Sequence, residues 1–420
     1  STELARNYIV AGQQVSEFRR LRKWLHLEEE TQQCMAVTEK LIQWCETTEG
    51  QDLLRNLNLE EYLTRVLKMR LQTESFPALL KLCMRLVAQF VHGNETNQLI
   101  FANHMESILL KLLYEPQYYG DGAAMLTEVV DENEHLSVVY SPKLVAAVGE
   151  LSLSQEHGRQ IGLLIMLEQL LVVEDHPVTE SQVSICKGAM VSRKLIETEG
   201  KILDDEWGDG PRMERLEAIR VATADKDTPD KQRAQLGCEY YFKCLEILGI
   251  CARGKMPTTE LLCASMLPFE ECLLRMHELY NDETLRACAD AHADLDPTAR
   301  SKSALFAFFR EVFVDTNSEH ILRSLRRPSN GLWVVEETVD PDTNHPIARH
   351  IVDEMKRLAE KQTSLPRNDL RDYLFEQACM FFIQYSRVVG PAATAKEETQ
   401  IIQGYFAEVM EIVEHAQDDP

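Results

Sequence analysis

Apolar residues recur with the period of an α-helix along nearly the whole chain. Between Phe76 and Gly93, and again across residues 235–254, they fall at positions i, i+3, i+4 and i+7. This spacing puts the apolar side chains on one face of a helix, and a following glycine is a typical helix end. Only residues 137–140 and 332–339 alternate in the manner of a strand. The pattern therefore predicts an all-α protein.

A second pattern repeats along the chain at longer range. After each of Gly50, Gly93 and Gly254 come a polar start, a short helix, a break and a second amphipathic helix, and a looser copy follows Val314. The first two glycines are 43 residues apart, within the period of about 40–47 residues in HEAT and armadillo repeats. A single helical hairpin cannot bury its apolar face alone. We therefore expect an armadillo/HEAT-like solenoid of stacked helical hairpins.

The segment before residue 236 interrupts this pattern. It is dense in Asp, Gly and Pro, which is typical of a loop-rich connection. We expect helical repeats in residues 1–200, a loop-rich connection in 201–235 and further armadillo-like helical repeats in 236–420. Because the chain begins with Ser1 and stops at a polar tail, we interpret it as a fragment of a larger protein.

Six residues are predicted to cap helices. Three glycines should end helices, because glycine adopts the left-handed conformation of a helix C-terminus easily; they are Gly50, Gly93 and Gly254. Three amides should satisfy backbone groups at the start of the following helix; they are Asn94, Asn97 and Gln98.

Charge and cysteine usage narrow the classes of partner. The formal net charge is −24, from 68 acidic and 44 basic residues, which disfavours nucleic acids and anionic lipids as partners.

The 11 cysteines include no C-x-x-C pair and lie mostly in apolar helical runs, as expected of reduced, buried thiols. No apolar run approaches the roughly 20 residues of a membrane span. We therefore expect no direct membrane contact from this segment.

The chain contains part of a nucleotide-binding motif. Gly249, Gly254 and Lys255 stand in the order G-x-x-x-x-G-K. A P-loop needs a strand before the glycines and a hydroxyl residue after the lysine, but here a helical run precedes Gly249 and Met256 takes the hydroxyl position. We interpret Gly254 as a helix C-cap with a cation beside it.

No cofactor, metal or catalytic site is predicted. Two acidic loops have part of a calcium-loop pattern but lack its glycine or its glutamate; their residues are Asp340, Asp342, Asn344, His345 and Ile351 in one, and Asp205, Trp207, Asp209, Gly210 and Leu216 in the other. The spacing of His345 and His350 does not put both on one helix face. Nucleophile and zinc-enzyme motifs are absent. We therefore predict a protein that is not an enzyme.

One position has the pattern of a phosphorylation site. Ser329 follows Arg326 and Arg327 in the stretch LRRPSNG, an arrangement that basophilic kinases prefer. Phosphate at this turn would add negative charge beside two arginines.

Three stretches resemble the inositol trisphosphate receptor family. GNETNQLIFANHMESIL, with LLRNLN upstream, is similar to the RIH domain of inositol trisphosphate and ryanodine receptors. YYFKCLEILGICARGKMPTTELLCASMLPFEECL and FVDTNSEH resemble later segments of inositol trisphosphate receptors, in the same order. Ryanodine receptors fit the second stretch less well. Residues 114–158, 289–300 and those after Pro346 match no such landmark.

The resemblance implies that the helical repeats of residues 1–200 are RIH-type and that the chain is a non-catalytic, central armadillo-like region of a tetrameric calcium-release channel. Such a region lies on the cytosolic face of the endoplasmic reticulum and relays ligand and calcium binding to the pore. Its partners would be other domains and subunits of the same channel. The alternative is a stand-alone armadillo-like adaptor that binds peptide or protein partners on its concave face.

Overall fold

The part of the chain that the structure describes is mostly helical, which confirms the predicted all-α class. The computed structural model describes residues 2–115, 117–152, 160–191, 214–224, 228–282, 284–285, 298–325, 347–361, 372–389, 400–407 and 409–410. Within these residues the only sheet is a two-stranded hairpin of Val172–Val173 and His176–Pro177. The chain divides into two compact units, Ser1–Ile185 and Cys186–Pro420.

Unit 1 is built from helices that follow one another along the chain. They are α1 (Thr2–Leu21), α2 (Glu28–Trp44), α3 (Thr48–Asn56), α4 (Leu59–Leu67), α5 (Phe76–Val91), α6 (Glu95–Ala102), α7 (Leu110–Leu113), α8 (Tyr119–Val130), α9 (Glu134–Ser152) and α10 (Ile161–Gln169). A π-helical segment, Met105–Leu109, leads into α7. The next helix, α11 (Thr179–Val191), spans the boundary between the units.

Three consecutive helix pairs in unit 1 have the same local order: a first helix, a tight turn and a second helix. They are α2 with α3, α5 with α6, and α8 with α9. The caps of their second helices, Thr47, Asn94 and Asn133, are 47 and 39 residues apart. The first helices of successive pairs pack together, α2 against α5 and α5 against α8. This packing buries residues of α5 such as Leu80, Cys83 and Val87.

The strand candidate at residues 137–140 is helical, because these residues lie inside α9. Asn133 starts that helix by accepting a hydrogen bond from Leu136 N at 3.1 Å. Leu136, Leu144 and Val148 then recur at helical spacing and are buried. The helical period over the whole segment outweighs four alternating residues. Residues 332–339, the other strand candidate, lie outside the described residues.

Unit 2 is centred on one long helix. Its helices are α12 (Arg215–Thr223), α13 (Pro229–Arg253), α14 (Pro257–Met266), α15 (Phe269–Asn281), α16 (Ala299–Phe309), α17 (Glu319–Leu325), α18 (Ile347–Lys361) and α19 (Cys379–Val389). π-helical segments follow α16 (Arg310–Val314) and precede α19 (Asp372–Ala378). Helix α13 packs against α12, α14 and α16. A Cβ at Gly249 would lie 3.3 Å from Phe308 Cα, so the glycine permits close packing of α13 on α16.

None of the helices in the described parts of the chain combines the length and the apolar character of a membrane crossing.

Candidate functional site

The Gly93 turn joins α5 to α6 through one left-handed residue. Gly93 has φ +61°, and Asn94 after it is extended. Asn94 Oδ1 accepts a hydrogen bond from Asn97 N at 3.2 Å, which caps the first turn of α6. A left-handed residue followed by an asparagine cap reverses the chain within three residues.

The side chains of Asn97 and Gln98 bind carbonyl groups at the C-terminal ends of other helices. We had predicted instead that they would bind backbone groups at the start of α6. Asn97 is fully buried and its Nδ2 donates to Phe90 O, at the end of α5, at 2.8 Å. Gln98 Nε2 donates to Glu128 O at 3.1 Å and to Asp131 O at 2.7 Å, at the end of α8. Both amides satisfy carbonyl groups that a helix C-terminus leaves without partners.

The same contact occurs one pair earlier. Gln51 of α3 is 3 % exposed, and its Nε2 donates to Gln89 O at 2.8 Å and to His92 O at 2.9 Å. Its Oε1 accepts from Asn94 Nδ2 at 3.1 Å. Correspondingly, Gln98 Oε1 accepts from Asn133 Nδ2 at 3.1 Å.

We call Gln51, Asn94, Gln98 and Asn133 the amide ladder. At each step, the glutamine side chain of one pair donates to carbonyl groups at the end of the next pair's first helix. The same glutamine accepts a hydrogen bond from the asparagine that caps the second helix of that next pair. The ladder thereby ties three consecutive helix pairs together within unit 1.

A turn that the sequence did not reveal repeats the geometry of the Gly93 turn. Asp131 ends α8, Glu132 has φ +50°, and Asn133 caps α9. Ser137 Oγ contacts Val130 O at 3.4 Å, seven residues back, as Asn97 contacts Phe90. Both turns have an asparagine at the helix cap, Asn94 in one and Asn133 in the other. The left-handed residue before it differs, since Glu132 stands where the first turn has Gly93.

Gly50 does not end a helix, contrary to our prediction. It lies in the first turn of α3, where its N–H donates to the capping Thr47 Oγ1 at 3.2 Å. A Cβ at this position would lie 1.8 Å from the carbonyl oxygen of Trp44. Glycine is therefore required because the backbone of α3 comes close to the end of α2. Helix α3 continues past Gly50.

The Gly254 turn ends α13 without the geometry of a P-loop. Gly254 is at the C-cap with φ −67°, and the left-handed residue is Lys255, with φ +54°. Lys255 Nζ forms an ion pair with Asp315 Oδ1 at 2.6 Å. A helix and not a strand leads into this turn, so the geometry of a phosphate loop is not formed.

The Lys255–Asp315 pair joins two of the stretches that carry the resemblance. A second contact supports it, because Asn317 N donates to Glu260 Oε1 at 3.0 Å. Glu260 is fully buried in α14. The stretch FVDTNSEH thus binds the turn and helix that follow α13.

The described cysteines carry thiol groups, and all but Cys379 are buried. Burial raises the pKa of Cys34 and of Cys45 to about 12 and the pKa of Cys83 well above its usual value. These three thiols are held neutral and are therefore poor nucleophiles, as expected for side chains that fill a core.

Several sequence candidates lie outside the described residues. They are the proposed phosphosite Ser329 and the acidic-loop residues Asp205, Trp207, Asp209, Gly210, Asp340, Asp342, Asn344 and His345. His350 is described: it is buried in α18, and its ring stacks on Tyr280 with centroids 5.2 Å apart.

Capped helix pairs joined by an amide ladder characterise unit 1 of this all-α protein, and comparisons with known proteins show what the chain is similar to. Residues 19–199 match the family model of the RIH domain. The inositol 1,4,5-trisphosphate receptor itr-1 of Caenorhabditis elegans is 23 % identical over 317 residues, which cover 69 % of this chain and 10 % of the receptor. The chain thus spans about a tenth of that relative's length.

These findings confirm the resemblance found in the sequence: the chain is similar to an inositol trisphosphate receptor, and its residues 19–199 match the RIH domain model. A crystal structure of an engineered protein also matches, with 13 % identity, a TM-score of 0.36, and coverage of 94 % of this chain and 99 % of that one. Because the TM-score is so low, this likeness carries no argument.

Proposed function

We propose that this chain is a non-catalytic helical region of an intracellular calcium-release channel of the inositol trisphosphate receptor type. In this proposal its stacked repeats relay ligand and calcium binding elsewhere in the receptor to the pore. The observation that carries it is the position of the amide ladder within the RIH domain, where it bonds each helix pair to the next.

The ladder supports a relay because its bonds run between pairs. A shift of α5 moves His92 O and Asn94 together, and both are bonded to Gln51 of the preceding pair. A shift of α8 acts in the same way on Gln98. In a stack where each repeat contacts its neighbours, small rotations add along the array.

The wider context follows from the family and is part of the proposal. The region would lie on the cytosolic face of the endoplasmic reticulum and contact other domains and subunits of a homotetrameric channel. The remaining sequence of the gene tests this directly. Transmembrane helices and a pore motif after this segment are expected, whereas a gene without them would favour a stand-alone adaptor.

A functional test uses the full-length receptor with Gln98→Ala. We expect unchanged affinity for inositol trisphosphate but reduced calcium release at saturating ligand, because the substitution removes the ladder bonds to α8. Gln43→Ala, at an exposed position of α2, is the matched control and should leave release unchanged. Normal release from a folded Gln98→Ala receptor would contradict the relay.

A further inference from the structure

We propose that His92, Glu128 and Asp131 form a binding site for one divalent transition-metal cation of the zinc type. Each side chain offers one ligand atom, and the three atoms lie within 4.8 Å of one another. His92 Nδ1 and Glu128 Oε2 are already 2.7 Å apart. His92 is exposed and the two carboxylates are half-buried, so an ion can enter from solvent.

The donor set selects the class of ion. One imidazole and two carboxylates are ligands used by catalytic-type zinc sites, which keep a fourth position for water. Calcium and magnesium prefer sites made wholly of oxygen atoms. Because His92 supplies nitrogen, we infer a zinc-type ion and not calcium.

The position of the carboxylates supplies an electrostatic reason for a cation. Glu128 is in the last turn of α8, Asp131 is its C-cap, and Glu132 follows. The C-terminal end of a helix carries partial negative charge, so carboxylates there are unfavourable unless a cation accompanies them. Glu132 does not supply a ligand, because its Oε2 accepts from Glu174 N at 2.6 Å.

The amide ladder holds the backbone of the ligands, and this observation is independent of the cluster itself. Gln51 binds His92 O, and Gln98 binds both Glu128 O and Asp131 O. These bonds fix the main chain from which the three side chains extend, and the donor atoms already lie within 4.8 Å of one another.

The test is a titration of the 420-residue chain with Co²⁺, a spectroscopic substitute for Zn²⁺. Because the chain contains 11 cysteines, the spectrum must separate the sites: nitrogen and oxygen ligands give visible d–d bands without the thiolate charge-transfer band. We expect one equivalent of such bands, displaced by Zn²⁺ and not by Ca²⁺. Affinity should fall at least about tenfold in His92→Ala and in Asp131→Asn.

Two neighbouring exposed residues provide matched controls, because His135→Ala and Glu134→Gln remove one imidazole and one carboxylate outside the cluster. Both variants should bind Co²⁺ like the unaltered chain. Zn²⁺ should also raise the melting temperature of the unaltered chain but not of Asp131→Asn. Equal Co²⁺ affinity in His92→Ala, displacement by Ca²⁺ or the absence of d–d bands would each overturn the proposal.

Discussion

The turns at Gly93 and Gly254 each contain one left-handed residue, but different interactions hold the two turns. Each ends a long helix, passes through one left-handed residue and begins a short helix. In unit 1 the left-handed residue is Gly93, and neutral amides hold the turn. In unit 2 the left-handed residue is Lys255, and an ion pair with Asp315 holds it.

The difference shows two ways to stabilise one turn. Glycine avoids the steric penalty of about 1–2 kcal/mol that other residues meet in the left-handed region. Lys255 meets this penalty, and its part-exposed ion pair offsets only up to about 1 kcal/mol of it. Buried amide bonds do not depend on salt, whereas a half-exposed ion pair is screened by it. The two turns should therefore respond differently to substitution and to ionic strength.

The largest effect is expected where glycine is required by close approach. Gly50→Ala would force a Cβ against the carbonyl oxygen of Trp44 and should lower the free energy of unfolding by about 3 kcal/mol, as overpacking does. Urea denaturation measures this change. Gly120→Ala is the control, since nothing lies within 4 Å of its added Cβ. Equal stability of the two variants would contradict the close approach of α3 to Trp44.

Removing a ladder amide should have the next largest effect. Gln51→Ala leaves the carbonyls of Gln89 and His92 and the Asn94 amide without these partners, at a cost of about 2 kcal/mol. The same denaturation experiment applies, with the exposed Gln43→Ala as control. If Gln51→Ala were no more destabilising than its control, the ladder would have no part in stability.

The left-handed turn itself gives a smaller effect. Gly93→Val should cost about 1.5 kcal/mol through backbone strain alone, because no atom lies within 4 Å of an added Cβ. Gly93→Asn should cost less, since asparagine tolerates this conformation. Thermal melts compare the two variants. An unchanged melting temperature for Gly93→Val would remove the structural role of the glycine.

Removing the Lys255–Asp315 ion pair should have the smallest effect on stability, and this effect should depend on the salt concentration. Lys255→Met should cost about 0.5 kcal/mol at low ionic strength and less in about 1 M salt. Stability measured at the two salt concentrations tests this, with Gln51→Ala as the comparison in unit 1. A cost that salt leaves unchanged would show that screening does not act on the Lys255–Asp315 pair.

Local patterns in the sequence predicted local structure well. The apolar periods around Cys83 and Cys244 identified α5 and α13, because burial on one helix face repeats in the sequence. Gly50 was misinterpreted because a glycine that ends a helix and one that admits a neighbouring backbone are identical in sequence. The Asp131 turn escaped prediction because Glu132 carries no signal for a left-handed residue.

Contacts between pairs could not be predicted in the same way. Gln51 and Asn94 are 43 residues apart, and Lys255 and Asp315 are 60 apart. A single sequence shows that these residues are polar but not that they meet. The proposed metal cluster could not be foreseen for the same reason, since His92 is 36 residues from Glu128.

The claim that the ladder couples successive helix pairs is tested most directly by a double-mutant cycle on Gln98 and Asn133, which are joined across 3.1 Å. Unfolding free energies of the unaltered chain, Gln98→Ala, Asn133→Ala and the double variant give the coupling. We predict about 1 kcal/mol, as for residues that share a buried hydrogen bond. Strictly additive effects would contradict the account.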